Sequence, residues 1–389
     1  MKILFVVGSC LRVNTSANLC HIAYINGCVK AGDDVDVISM SEKGSVVDKS
    51  IKLPYVSNWF TFDPPYHNNI PVTTVGSSAK KIDVRGTSRN FFKQFILNFY
   101  GIYGHTASIW VHRARKFKSD KKYDMVISLA TPYVSHYLTY LLIRSGHIKY
   151  DKWIQIWEDP WALDLYNTKK KKKQWEEENR LLSYPDKVVY SSPLTLKYQR
   201  KAFPKHMEKM TWHTLPYYYK NETTSVNKVD KVYGYYGDYY SFSRNLKPFY
   251  DAAKQTNINV KIYGNSDLNI STTKLIDVKP RVGLEKLSEA EDKTDVLVFL
   301  CNLRGGQIPG KLYQYSATNK PILFILDGTI EEMKILKKYF SQFNRYFFCN
   351  NDINSISAAI MHINANELGS IKNYPVDEFS PESTMKALL

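Results

Sequence analysis

The chain has 389 residues, 44% hydrophobic and 23% charged, which is too long for one ordinary domain and suits a globular protein with full cores. No run reaches the roughly 18–20 apolar residues of a membrane span, and the start, Met1 to Gly8, is too short and wrongly flanked for a signal peptide, so a cytoplasmic protein is expected. The net charge of +16 is unevenly held: residues 1–215 carry 32 Lys and Arg against 18 Asp and Glu, and the remainder 21 against 19.

Ile3 to Val7 is an apolar run of strand type that ends at Gly8-Ser9. Residues 16–30 place Leu19, Ile22, Ala23, Ile25 and Val29 at helical spacing and stop before Gly32, and Asp34 to Ser39 reads as a second strand. Strand, helix and strand in this order predict a right-handed βαβ opening. Residues 52–85, rich in Pro, Asn and aromatics, read as an irregular excursion. Residues 87–118 carry an aromatic face and a basic end, and predict one or two helices. Strands are expected over 123–128, 152–157 and 187–192, with a charged helix after the Lys169–Lys173 run. The five cysteines (Cys10, Cys20, Cys28, Cys301, Cys349) show no zinc spacing and read as reduced core thiols.

Residues 217–230 are polar and form the linker candidate, after which the pattern restarts. Strands are expected at 232–236 before Gly237, at 260–263 before Gly264, at 296–300 and at 321–325. The chain is therefore read as α/β with two Rossmann-like domains facing across a cleft: 1–216, the linker 217–230, 231–372, and a C-terminal helix in 373–389 packing back toward the first domain.

Three segments carry candidate chemistry. Gly305-Gly306 lets backbone approach a ligand, and Pro309 suits a helix start whose N–H groups would meet an anion. Lys311 in that first turn opposes the helix dipole unless a diphosphate lies nearby. Arg244-Asn245 follows the Gly237 turn, and an arginine fork suits phosphate oxygens. Glu158-Asp159-Pro160-Trp161 ends a strand with two acids beside tryptophans, able to bind sugar hydroxyls or accept a proton. The plainer reading of that last segment is a helix N-cap by Asp159 with Pro160 following. His105, His112 and His136 are further acid/base candidates, although a lone histidine is more often structural.

The order Gly237-Asp238, Arg244-Asn245, Val260 to Gly264, Asp295 to Val298 and Ile308-Pro309-Gly310-Lys311-Leu312-Tyr313-Gln314-Tyr315 resembles the donor domain of GT-B glycosyltransferases similar to glycosyltransferase family 4. The resemblance implies a transferase moving a sugar from a nucleotide-diphosphate sugar to a hydroxyl, in assembly of a bacterial surface polysaccharide or glycoconjugate. It implies that Gly8 and Ser9 form the N-domain loop approaching the donor, and that Arg244 and Lys311 meet the diphosphate. Glu158 takes the place of a catalytic-region histidine, with Asp159 after it. The family's two glutamates fall on Gly306 and Gln314; the amide can still bond a ribose hydroxyl, whereas Gly306 has no side chain to offer.

The expected donor set is thus Gly8, Ser9, Gly237, Arg244, Asn245, Gly264, Gly305, Gly306, Pro309, Lys311 and Gln314, with Glu158 and Asp159 as the catalytic pair. No metal and no cofactor beyond the nucleotide sugar is expected. The acceptor is a glycan or a lipid-linked one, and the basic half is expected to rest peripherally on an anionic membrane. A homo-oligomer or a partner glycosyltransferase fits as well. Three rivals remain. An epimerase of the same frame leaves the basic half unexplained. A non-catalytic partner subunit accommodates Gly306 and Gln314. A nucleic-acid binder fits the pI of 9.3, but no recognised motif is present.

Overall fold

A computed structural model describes residues 1–64, 101–165, 171–221, 230–304, 306–365 and 371–389. They form two compact units: residues 1–218 together with 381–389, and residues 219–380.

In the first unit the opening apolar run is β1 (Lys2–Val7). Helix α1 (Ser16–Lys30) starts where the Thr15 side chain accepts the N–H of Asn18, and β2 (Asp34–Met40) follows. The stretch read as irregular contains a strand, β3 (Asn58–Phe62), running parallel to β2 from Asp36↔Asn58 to Met40↔Phe62. Its half-exposed edge position leaves no alternation to read. Of the helical stretch expected over 87–118, residues 87–100 lie outside the described residues. Beyond them Gly104, at φ +81°, separates a short turn from α2 (His105–Ala114).

The unit continues with β4 (Lys122–Ala130), α3 (Val134–Arg144), β5 (Lys149–Trp157) and α4 (Lys171–Leu181). It ends with β6 (Lys187–Tyr190), α5 (Pro193–Ala202) and β7 (Met210–Trp212), the last a strand absent from the sequence reading. All pairings are parallel, in the order β3-β2-β1-β4-β5-β6-β7.

The second unit runs β8 (Val232–Tyr236), α6 (Lys247–Gln255), β9 (Asn259–Tyr263), β10 (Ile276–Lys279), α7 (Leu284–Asp292) and β11 (Val296–Leu300). It goes on with α8 (Lys311–Tyr315), β12 (Ile322–Leu326), α9 (Ile330–Ser341), β13 (Tyr346–Asn350) and α10 (Ile353–Asn364). Its parallel order is β10-β9-β8-β11-β12-β13, so six strands repeat the arrangement of the first sheet. In both sheets the strand order reverses between the first and fourth strands. The crevice outside the carboxyl ends there is where open α/β sheets bind ligands.

The returning helix, α11 (Pro381–Leu388), seats on α1 so closely that a Cβ at Gly27 would fall 2.2 Å from the Pro381 carbonyl oxygen. The sequence reading began the return at 373, but residues 373–380 stay with the second unit. Val376 N–H donates to Ser316 O at 2.9 Å, and the Phe379 ring packs on Tyr313 and Phe343. The buried guanidinium of Arg345 donates to the carbonyls of Thr318, Lys320 and Tyr374, and its burial lowers its pKa to about 10. Of the expected linker, residues 222–229 lie outside the described residues. All five cysteines are unbridged and buried.

Candidate functional site

In the first unit the carboxyl ends of β1, β4, β5 and β6 gather the expected N-domain residues. Gly8 donates its N–H to Ser135 Oγ at 2.9 Å, and a Cβ there would lie 2.4 Å from Val134 Cγ1. A glycine at this point lets the start of α3 close on the end of β1. The Ser9 hydroxyl donates to Asn18 Oδ1 at 2.6 Å, while the Asn18 amide holds the carbonyls of Cys10 and Val13. Ser9 therefore shapes the loop after β1.

Glu158 follows β5 and is 7% exposed. Its N–H donates to Ala130 O at 3.3 Å and its carbonyl accepts from Ser191 Oγ at 2.6 Å, so neighbouring strand ends fix its main chain. Its Oε1 lies 3.2 Å from His21 Nε2. Asp159 is less buried, and no helix begins at Pro160: residues 158–165 form bends and turns. The capping alternative is thus replaced by a loop tied down elsewhere. Ala162 N–H donates to Glu178 Oε2 at 2.7 Å, and the Tyr133 hydroxyl to Pro160 O at 3.0 Å. Trp157 and Trp161 are buried, the latter stacked on Tyr133 at 4.7 Å, so neither presents the open face expected for a sugar.

Two functional candidates escaped the sequence reading. Glu178 is fully buried on α4, and burial raises its pKa to about 7 against the opposing backbone N–H groups of Ala162 and Trp161. His21 lies in α1, where polar and apolar positions alike are buried, so helical periodicity does not single it out.

In the second unit, Gly237, Gly264 and Arg244 come together after β8 and β9. A Cβ on Gly264 would stand 1.9 Å from the Gly237 carbonyl oxygen, and Gly237 N–H donates to Tyr263 O at 3.0 Å. Arg244 Nη1 lies 3.7 Å from where a Gly237 Cβ would sit, which puts its guanidinium against the β8 turn. The loop after β11 joins them, with Leu303 N–H donating to Ser243 O at 2.7 Å. Asn245 serves the scaffold: its Oδ1 accepts from Lys247 N–H and its carbonyl from the Asn351 amide, which also holds Asp327.

Gly305 lies outside the described residues. Gly306 is buried at φ +73°, a conformation suited to glycine, and the Asn302 amide closes the same loop on Gln307 O. Pro309 and Gly310 lead into α8, which spans five residues, about 8 Å of helix, and so has little dipole for an anion. Lys311 pairs with Glu291 Oε1 at 2.6 Å, and Lys320 caps the same end of α7 through the carbonyls of Glu291 and Asp292. That end precedes β11, opposite the Gly237 edge. The Gln314 amide donates to Tyr219 O at 2.9 Å. Thus the structure brings together Gly237, Gly264 and Arg244, and engages Lys311 and Gln314 elsewhere. Among the described residues, no group of three His, Cys, Asp or Glu side chains is placed to hold a metal.

No protein-family profile matches the chain, and no curated protein matches it in sequence. Solved structures do match. TarM aligns with a TM-score of 0.63 at 9% identity, covering 100% of this chain and 98% of that one. The catalytic domain of starch synthase IV from Arabidopsis thaliana, bound to ADP and acarbose, aligns at 0.58 and 9% identity over 99% and 95%. A UDP-N-acetylglucosamine 2-epimerase aligns at 0.53 and 10% identity over 100% and 95%. The chain has the GT-B fold of two Rossmann-like parallel-sheet domains.

Proposed function

We propose that this chain is a glycosyltransferase that takes a sugar from a nucleotide-diphosphate donor bound by the second unit and delivers it to a hydroxyl held at the first. The observation that supports it most is the Arg244 guanidinium against the Gly237–Gly264 turns, at the switch point of the second sheet. An arginine fork there offsets the charge that grows on a departing diphosphate. In this reading no metal or cofactor joins the nucleotide sugar. Lys311 contributes to the diphosphate only by exchanging Glu291 for it, so its share is smaller than Arg244's.

At the first unit, Glu158 and Asp159 stand nearest the acceptor hydroxyl. The excess of 32 basic over 18 acidic residues in 1–215 supports a peripheral position on an anionic membrane surface and a lipid-linked or glycan acceptor. Such an acceptor fits the synthesis of a bacterial surface polysaccharide or glycoconjugate. Among the described residues, no helix is long and apolar enough to cross a membrane.

The test is release of nucleoside diphosphate from a panel of nucleotide sugars, with and without membrane-lipid extract. Release that rises with extract, with labelled sugar passing into the lipid fraction, supports the transferase. Conversion of the sugar without transfer moves the assignment to an epimerase, one structure of which aligns over the whole chain.

A further inference from the structure

A polar cluster is buried under the loop that follows β5. His21 on α1 and His136 on α3 are fully buried, and Glu158 nearly so. His21 Nε2 and Glu158 Oε1 stand 3.2 Å apart without the alignment of a hydrogen bond. Both ring nitrogens of His21, Nε2 of His136 and Oε1 of Glu158 have no hydrogen-bond partner. A purely structural core has no use for so many unsatisfied groups, since each is normally paired when buried. Hydrogen bonds of catalytic groups are often long in the absence of substrate and tighten when it binds.

Two groups approach the Glu158 carboxylate: His21 Nε2, 3.2 Å from Oε1, and the Cys20 thiol, which hydrogen-bonds it. Ser128 Oγ receives the Trp153 indole N–H at 2.8 Å and lies 2.8 Å from His136 Nδ1. The indole only donates, which leaves Ser128 Oγ both its hydrogen and a second lone pair, so the bond to His136 Nδ1 runs in either direction with the imidazole tautomer. Burial, with His21 nearby, holds the pKa of His136 well below the usual range and keeps it neutral. The Cys20 thiol also faces Glu158, and burial followed by the charge of Glu158 pushes its pKa far up, so it keeps its proton. Tyr24 bonds that thiol, and Asp159 adds a second negative charge beside it.

We propose that Glu158, rather than Asp159, takes the proton of the acceptor hydroxyl, and that His21 is its positioning residue. This rests on the transferase reading. The acceptor oxygen bonds to the anomeric carbon as the bond from that carbon to the diphosphate oxygen breaks, and the electron pair leaves with the diphosphate. The hydroxyl proton passes to Glu158 Oε2 while His21 Nε2–H holds Oε1. The main chain of Glu158, tied to Ala130 and Ser191, aims the carboxylate.

The experiment uses the full chain as wild type, His21→Gln, Glu158→Gln and Asp159→Asn, with slow hydrolysis of a bound nucleotide sugar as the reaction. His21→Gln is expected to lower kcat about tenfold with KM unchanged, and Glu158→Gln by about 10²–10⁴-fold, the usual worth of a general base. Asp159→Asn, beside the hydroxyl but not taking its proton, is expected to lower kcat by a clearly smaller factor than Glu158→Gln. Histidine side-chain NMR should show an Nε2–H signal of His21 that survives Asp159→Asn and is lost or moved in Glu158→Gln. Should His21→Gln not fold, Glu158→Asp, which draws the carboxylate back by one methylene, is expected to lower kcat and leave KM unchanged. Equal losses in Asp159→Asn and Glu158→Gln, or an unchanged kcat in His21→Gln, overturn the proposal. Nucleotide binding by all four proteins without the kcat split defeats the pair alone. Absence of nucleotide binding by the wild type defeats the transferase reading and the role with it.

Discussion

Replacing Glu178 by Gln should remove a loss of stability that the wild type suffers as pH rises. The Glu178 carboxyl is fully buried, and burial raises its pKa from the ordinary 4.5 to about 7, against the lowering effect of the Ala162 and Trp161 N–H groups. Between those values the folded chain keeps a proton that the unfolded chain has released. Stability therefore falls with rising pH across that window and levels off above it. A shift of this size corresponds to about 3 kcal/mol in total, most of which falls between pH 5 and pH 8. Glutamine is neutral at every pH and still offers an oxygen to Ala162 N–H. All seven tryptophans lie within residues 1–218, so their fluorescence in urea follows the first unit alone. The stability of the variant minus that of the wild type should grow by about 2–3 kcal/mol from pH 5 to pH 8. A difference that stays constant, or shrinks as pH rises, means that burial does not hold the proton on Glu178.

Gly264→Ala forces a methyl group to within 1.9 Å of the Gly237 carbonyl oxygen. It should destabilise the second unit by about 3 kcal/mol in circular-dichroism melts and weaken nucleotide binding with it. Lys311→Ala removes a half-exposed ion pair to Glu291, so its stability cost should stay below about 1 kcal/mol, with most nucleotide-induced stabilisation retained. Thr329→Ala opens the capping box with Glu332 at the start of α9 and should cost about 1 kcal/mol in urea denaturation.

The strands nearest the site were legible because their signals are local and strong. Val296 to Leu300 is a continuous apolar run, and Val232 to Tyr236 runs into Gly237. The strands missed, β3, β7, β10 and β13, all sit at or near sheet edges, and β7 and β10 span only three and four residues. Pairing with a neighbour, which a single segment does not reveal, makes them strands. The candidate site was legible where backbone geometry demands glycine, as at Gly8 and Gly264. The ion pair of Lys311 is not legible in sequence, because the carboxylate that engages it, Glu291, lies twenty residues away. Glu178 stands in a run of three glutamates that reads as a solvated face, yet of these only Glu178 is fully buried. The His21–Glu158 approach joins residues 137 positions apart in sequence, and only the meeting of α1 with the end of β5 creates it.

Thermal shift with UDP-, GDP-, ADP- and CMP-sugars on the wild type and Arg244→Ala measures donor binding by the second unit. One nucleotide sugar should stabilise the wild type, and Arg244→Ala should bind it about 10–100-fold more weakly, the worth of a charge-assisted hydrogen bond. No stabilisation by any nucleotide sugar, together with salt-sensitive binding to RNA or DNA, would rule out the donor site.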